Sequence, residues 1–580
     1  MKIRRSKPQH TKQALAWLAV TLLLFIFGLL VADHARQIRF RQTMTTLYQT
    51  IVDKIAYAVA VNPDLPTLTI DVRPKRYEVL LDQRARALRD AVFIPSEEDF
   101  VSATARVAKA SVPIEMRLSG GPARNLGNED KWGFEIRTEL GQQLFEIRRP
   151  DAPDGLCSLD LLDPALNNGL AQWAFLQALE REGVLVARYR FVRLILNGRD
   201  RGVYALRENV SCEPLIASDW SEGVILHFDT HLLWKSLSHF QGDLQAVYAD
   251  PATNLSAFDF QYFEIDAFRD ATLAGEDDGS AQLREQNERA VGMLRALQAG
   301  ESRASEVFDV ALYGRFLALA DLWDATEAVS LVNLRYYYNP TSDRLEPLAF
   351  DAAPLRGNER VSLATTYGDP ALQAAYVREA ARLSQPDYVN WLSEELAADL
   401  LRLQRAMGGQ YGRAGEMWEQ LRARQAQMRR SLDPVQPVFA YLGPPELTAS
   451  GAVQIDVGNA LNFPVEVVGF DVNGTTFLPA RRYWLSSESV DLLVAEDGVD
   501  GVVLRASDPD RVPVLRYVRF DVPLAEIHRL NSEHDFTREM DVRVVTRILG
   551  LEEVKTTPAR HGYPDVFVVP ASLSNGGGGN

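Results

Sequence analysis

The sequence predicts an α+β protein with a membrane-spanning helix in front of it and a β-sandwich behind it. Three observations predict this. Ala14–Ala32 is a run of 19 residues without a charge. Strand-like alternation dominates from about residue 63 to 250, and helical spacing from about 251 to 433. From residue 434 onward, short alternating runs follow one another between turn residues. At 580 residues the chain is too long for a single core, so several domains are expected.

The uncharged run is long enough to cross the hydrocarbon of a bilayer once. Lys2, Arg4, Arg5, Lys7 and Lys12 precede it, with no acidic residue. The positive-inside rule then makes 1–13 a cytoplasmic tail, 14–32 a transmembrane helix, and the remainder extracytoplasmic. A cleaved signal peptide fits less well, because the run exceeds a usual signal core and Leu30-Val31-Ala32 is a poor small-x-small site. Residues 33–62 keep apolar residues at helical spacing (Ile38, Met44, Leu47, Ile51, Ile55, Val59) and read as a stalk helix closed by Asn62-Pro63.

Within 63–250, Leu68–Val72 and the runs PIEMRLS, WGFEIRTEL, QQLFEI, YRFVRLIL, GVYALRE and GVILHF read as strands. One helical insertion, Leu166–Glu182, interrupts them with an apolar stripe of Leu170, Trp173, Ala174, Leu176 and Leu179. Asn197-Gly198 sits between two of the strands as a hairpin turn. The helical lobe, 251–433, shows 3.6-residue spacing over Glu285–Ala299, Val307–Trp323, Asp369–Leu383 and Tyr388–Met428. Leu334–Tyr338 and Arg344–Phe350 form a strand hairpin inside it, with Asn339-Pro340 near the turn. Asp433-Pro434 and Pro437 mark the next boundary, and seven short strands, including a hairpin across Asn473-Gly474, make 434–574 a β-sandwich. The glycine-rich tail 575–580 is expected to be disordered.

Charge and motifs exclude several function classes. The net charge is −16, yet residues 1–41 are strongly basic, so the body is more acidic still and nucleic acid is not an expected partner. No CxxC, HExxH or GxSxG occurs, which removes the common zinc and hydrolase arrangements. Cys157 and Cys212 are the two cysteines, and pairing or two buried thiols both stay open. His227, His231 and His239 with Asp229 form the one histidine cluster; the strand-like start of ILHFDTHLLW turns alternate residues apart and argues against a zinc site.

Two stretches carry the functional reading: FVRLILNGRDRGVYALRENV (191–210) and VNLRYYYNPTSDRLEPLAFD (332–351). An Asn and an Asp delivered from neighbouring elements are what a phosphoryl-transfer site uses to hold metal on a nucleotide. Taken singly, Asp351 looks like a turn cap, Lys131 and Glu208 like surface charge, and Asn333 like a backbone-bonding residue.

Together these stretches resemble the CotH family of kinase-like proteins, named from a spore-coat protein, and in particular a branch of membrane-anchored bacterial envelope proteins. The resemblance runs from about Thr67 to Ala352, roughly half the chain. It rests on Arg117-Leu118, Gly120, Lys131-Trp132, Phe134 and Ile136; on Phe145 to Pro150; and on Arg188-Tyr189 with Phe191-Val192. It continues through Leu196-Asn197-Gly198, Gly202-Val203-Tyr204 and Glu208, and ends on Asn333, Arg335, Tyr336–Tyr338, Asn339-Pro340, Leu345, Pro347 and Asp351.

The resemblance implies an atypical protein-kinase-like two-lobe domain over 63–433, with ATP and Mg²⁺ as cofactors if the protein is active. Lys131 and Glu208 would steady the nucleotide, Asn333 and Asp351 would hold metal, and Asp351 and Glu327 would be the catalytic carboxylates. It also implies an inner-membrane location, a body facing the periplasm or exterior, and partners in envelope or polysaccharide assembly. The chain departs from the family pattern at Ser119, Glu135, Glu327 and Ala352-Ala353, where relatives carry lysine, a basic residue, histidine and a second carboxylate. The implied function is therefore a divergent phosphotransferase or a pseudokinase. The alternative is a structural or carbohydrate-binding scaffold of a membrane complex.

Overall fold

The computed structural model describes residues 65–562, apart from 123–125, 129, 139–157, 209–222, 229, 244–268, 271–280, 331, 358–359, 362–365, 444–450, 475, 484–491, 494–500, 507–516, 524 and 526–540. The chain divides into two compact units, one of residues 1–64 with 402–410, the other of 65–401 with 411–580. Of the first, the described part is 402–410, a helical end and a turn in which Gly408 and Gly409 take positive φ. Apart from that helical end, everything that follows concerns the second.

Its first region contains β1 (Thr67–Val72), α1 (Pro74–Asp90), β2 (Val92–Phe93), β3 (Val101–Val107), β4 (Ala110–Leu118), β5 (Gly121–Pro122), β6 (Phe134–Thr138), β7 (Ser158–Leu162), α2 (Gly169–Arg181), β8 (Leu185–Val186), β9 (Tyr189–Leu196) and β10 (Arg199–Glu208). Seven of these strands close a barrel in the order β1-β3-β4-β6-β7-β10-β9. The hairpin β9–β10 turns on Asn197 and Gly198, both at positive φ (50° and 75°), which is the type I′ geometry that Asn-Gly adopts without strain. The Asn197 side chain also accepts a hydrogen bond from the Val72 backbone N–H at 2.7 Å, pinning the turn to the end of β1. Alternate residues fill the barrel: Ile70, Met116, Leu118, Phe134, Ile136, Leu159, Leu161, Leu194, Tyr204 and Leu206 form one buried core.

Next come β11 (Ile225–His227), α3 (His231–His239), β12 (Arg269–Asp270), α4 (Ala281–Ala299), α5 (Ala304–Val307), α6 (Val310–Leu322), β13 (Arg335–Asn339), β14 (Arg344–Ala349), α7 (Pro370–Leu383), α8 (Pro386–Glu395), α9 (Ala397–Ala406) and α10 (Ala414–Leu432). A five-stranded sheet runs β12-β11-β13-β14-β8. Tyr336, Tyr337 and Tyr338 are all buried, so both faces of this sheet are covered rather than one face and a rim. Tyr337 joins Leu348 and Phe350 on one face, while Tyr336 meets Phe308 and Tyr313 on the other. Helices α6 and α7 approach so closely that a Cβ on Gly314 would lie 2.7 Å from Ala375.

The last region holds β15 (Val438–Leu442), β16 (Ala452–Asn459), β17 (Val465–Val472), β18 (Thr476–Pro479), β19 (Leu492–Leu493), β20 (Val502–Leu504), β21 (Tyr517–Pro523), β22 (Val542–Ile548), β23 (Val554–Pro558) and β24 (Arg560–His561). They form a sheet β21-β16-β15-β24 and a sheet β19-β20-β17-β22-β23 that share one core containing Ile455, Val467, Phe470 and Phe520. Tyr376 and Arg360 pack on Phe463 of this region, which ties it to the helices.

Two expectations are corrected. The strand-rich lobe of an atypical kinase-like two-lobe domain is instead a closed barrel. The closing contact is the parallel pairing of β1 with β9, Thr67 opposite Arg193 to Ile70 opposite Leu196. Such a pairing joins strands far apart in the chain and leaves no trace in local alternation. Nor is the chain established as a single-pass, inner-membrane protein, because among the described residues no helix is long and apolar enough to cross a membrane. Hydropathy reports that a segment is apolar, not that it folds as a span. Residues 1–13, 14–32, 33–62 and 575–580, the QQLFEI run, Asp229 and both cysteines lie outside the described residues.

Candidate functional site

Strand pairing builds a row of charges across the outer wall of the barrel. Arg117 on β4 lies in register with Glu135 on β6, Glu135 with Asp160 on β7, and Asp160 with Arg207 on β10. Met116, Leu118, Phe134, Ile136, Leu159, Leu161 and Leu206 beside them point into the core, so period-two alternation turns all four outward together. Arg117 pairs with Glu135 at 2.8 Å, and Arg207 with Asp160 at 2.8 Å. The two carboxylates in the middle face each other across strands. Burial, and then the charge of Asp160, pushes the Glu135 carboxyl up, against the pull of Arg117.

Asp351 arrives opposite this wall from the end of β14. Its Oδ2 accepts from Arg207 Nη1 at 2.6 Å and from the Asn167 amide at 2.8 Å. Its Oδ1 accepts from the same amide at 2.7 Å and from the Ala352 backbone N–H at 2.9 Å. Both carboxylate oxygens are thus engaged, the Asn167 amide bridging them. Burial opposes the Arg207 charge, but Asp351 and Asp160 together hold its pKa above the ordinary value. The guanidinium also lies 3.9 Å from the centre of the Phe350 ring.

The Lys131 ammonium is similarly committed. It donates to the Val203 carbonyl at 2.8 Å and to the Tyr411 hydroxyl, and pairs with Asp163 at 3.5 Å. The Tyr204 and Tyr411 rings flank it. Burial lowers its pKa, and Asp163 offsets part of that shift. Two of its N–H donors are thus spent on Val203 and Tyr411, and its charge is balanced by Asp163.

The other expected residues stand elsewhere. Glu208 pairs with Arg188 at 3.6 Å and accepts from its backbone N–H. Asn333 donates to the Glu327 carbonyl at 3.0 Å, within a turn where its own N–H reaches Ser330. Glu327 is exposed. Lys131 and Asp351 are linked through Asp163 and Tyr189: the half-buried Tyr189 is pushed up first by burial and then by Asp351, and Asp163, the partner of Lys131, adds to the shift. Glu208, Asn333 and Glu327 do not join them. Among the described residues no three His, Cys, Asp or Glu side chains are grouped to hold a metal ion.

Sequence reading missed Asn167, Asp160, Asp163 and Arg207. A signal did exist for two of them: Asp160 lies between the core leucines Leu159 and Leu161, and Arg207 follows the core Leu206 in a strand-like run. The tie from Asn167 to Asp351 spans 184 positions and had none.

The chain matches no model of a known protein family, and no curated protein matches it.

Proposed function

We propose that the chain is a non-catalytic binding protein of CotH-like descent, in which side chains that would grip a nucleotide and its metal hold two sheets together instead. The observation that carries this reading is the Asp351 carboxylate, with both oxygens filled by Arg207, Asn167 and Ala352. The donor set does not fit nucleotide-bound Mg²⁺. Both Asp351 oxygens already have partners, the Lys131 ammonium is held by Val203, Tyr411 and Asp163, and the Asn333 amide is turned to Glu327. Phosphoryl transfer depends on positioned charge at the transferring group, and here those charges neutralise one another.

One observation favours the phosphotransferase reading: Lys131 pairs with Asp163, and Asp163 and Asp351 both act on Tyr189. That reading needs both side chains to exchange their present partners for ligand. ADP release by the full chain in Mg²⁺-ATP separates the two. The binding-protein reading expects background rates from wild type and from Asp351→Ala alike. ADP formation that Asp351→Ala abolishes would overturn it.

A further inference from the structure

On the face of the five-stranded sheet that turns to the barrel, one cation stands apart from the others. Arg335, the first residue of β13, spends Nη1 on the carbonyls of Val332 and Leu334, each at 2.9 Å. Its guanidinium stacks 4.4 Å from the centre of the Phe350 ring, on which Arg207 also lies. No carboxylate among the described residues reaches it at ion-pair distance; Asp160 and Asp351 act on it from further away and are themselves held by Arg207. Burial, and then the neighbouring charge of Arg207, lower its pKa to about 9.

A half-buried guanidinium beside another cation is expensive to keep unless something compensates its charge. The arginines of the barrel wall have their carboxylates: Arg117 has Glu135, and Arg207 has Asp160 and Asp351. His227 on β11 lies in register with Arg335.

We propose that Arg335, at the head of β13 with His227 in register beside it, is an oxyanion-binding site for a small ligand carrying a carboxylate or a phosphoryl group. Nη1 is anchored by the backbone, so Nε and Nη2 present the open fork that pairs with two oxygens of one group. Phe350 fixes the plane of the fork from one side. The inference rests on the binding-protein reading only in that the ligand is held and not transformed.

Calorimetry on the full chain tests it, with inorganic phosphate and acetate as separate probes and no metal present. Wild type is expected to bind at least one of them, phosphate marking a phosphorylated ligand and acetate a carboxylate. Arg335→Met should weaken that binding about tenfold or more, on the scale of losing one charge-assisted hydrogen bond. Arg335→Lys keeps the charge and the stem but not the fork, and should fall between; it also serves if the methionine variant does not fold. Arg356→Met, an exposed change, should leave binding unchanged. Absence of binding by wild type, or equal binding by wild type and the Arg335 variants, overturns the proposal. Neither result depends on ATP turnover, so the site and the binding-protein reading can fail separately.

Discussion

Replacing Asp351 by alanine separates a structural carboxylate from a catalytic one, because the two roles predict opposite effects on stability. The side chain is 18% exposed and its partner Arg207 is 9% exposed. Removing it deletes a charge-assisted bond to Arg207, leaves the Asn167 amide without its acceptor, and frees the Ala352 N–H. Breaking a buried pair costs about 3–5 kcal/mol when the surviving charge is left bare. Arg207 would keep Asp160, which places the loss nearer the lower end, at about 2–4 kcal/mol. Asp351→Asn preserves shape and one acceptor oxygen and should lose about half as much. A metal-binding carboxylate held for catalysis behaves differently, since relieving its repulsion is neutral or stabilising. Urea unfolding of the full chain at neutral pH, followed by tryptophan fluorescence, reads the difference as a lower midpoint at unchanged slope. A midpoint equal to or above that of wild type would refute the structural role.

Two further outcomes follow from the same packing. Asp321 on α6 is 1% exposed and accepts from Arg360, from the Tyr376 hydroxyl and from the Val361 N–H, so Asp321→Ala should cost about 3–5 kcal/mol in the same unfolding assay. A loss below about 1 kcal/mol would contradict that accounting. Glu135 holds its proton to a higher pH in the folded chain than its ordinary 4.5 allows in the unfolded one. The folded state therefore binds more protons in that window, and the Glu135 contribution to stability falls as pH rises from about 4.5 through the raised value. Glu135→Gln lacks this loss, so its stability relative to wild type should improve as pH rises across the window; a difference that stays constant with pH refutes the shift.

Local structure was legible in the sequence wherever its cause was local. Asn197-Gly198 and Asn473-Gly474 both turn at positive φ because few other pairs tolerate it. Helix α7 begins at Pro370 with the Asp369 side chain accepting from Ala371 and Leu372, and the order of those two residues announces it. The long helical pattern of Tyr388–Met428, by contrast, is divided among α8, α9 and α10, with glycines at positive φ before α10. Barrel closure was hidden, because β1 meets β9 and β7 meets β10 only after the chain has returned.

The candidate site followed the same division. The residue types at 131, 208, 333 and 351 were visible, but their partners were not. Tyr411 reaches Lys131 across 280 positions, and Asn167 reaches Asp351 across 184. A single sequence gives charge and spacing. It does not say which opposite charge will be near enough to neutralise a side chain, and at Asp351 that neighbour decides the chemistry.

The most direct test of this account is a double-mutant cycle between Arg207 and Asp351, with Arg207→Met, Asp351→Ala and the double variant unfolded in urea. The account predicts a coupling of about 1.5–3 kcal/mol, the double variant being less destabilised than the sum of the single ones. Strictly additive losses would mean that the two side chains do not depend on each other. Asp351 would then be free to bind something else.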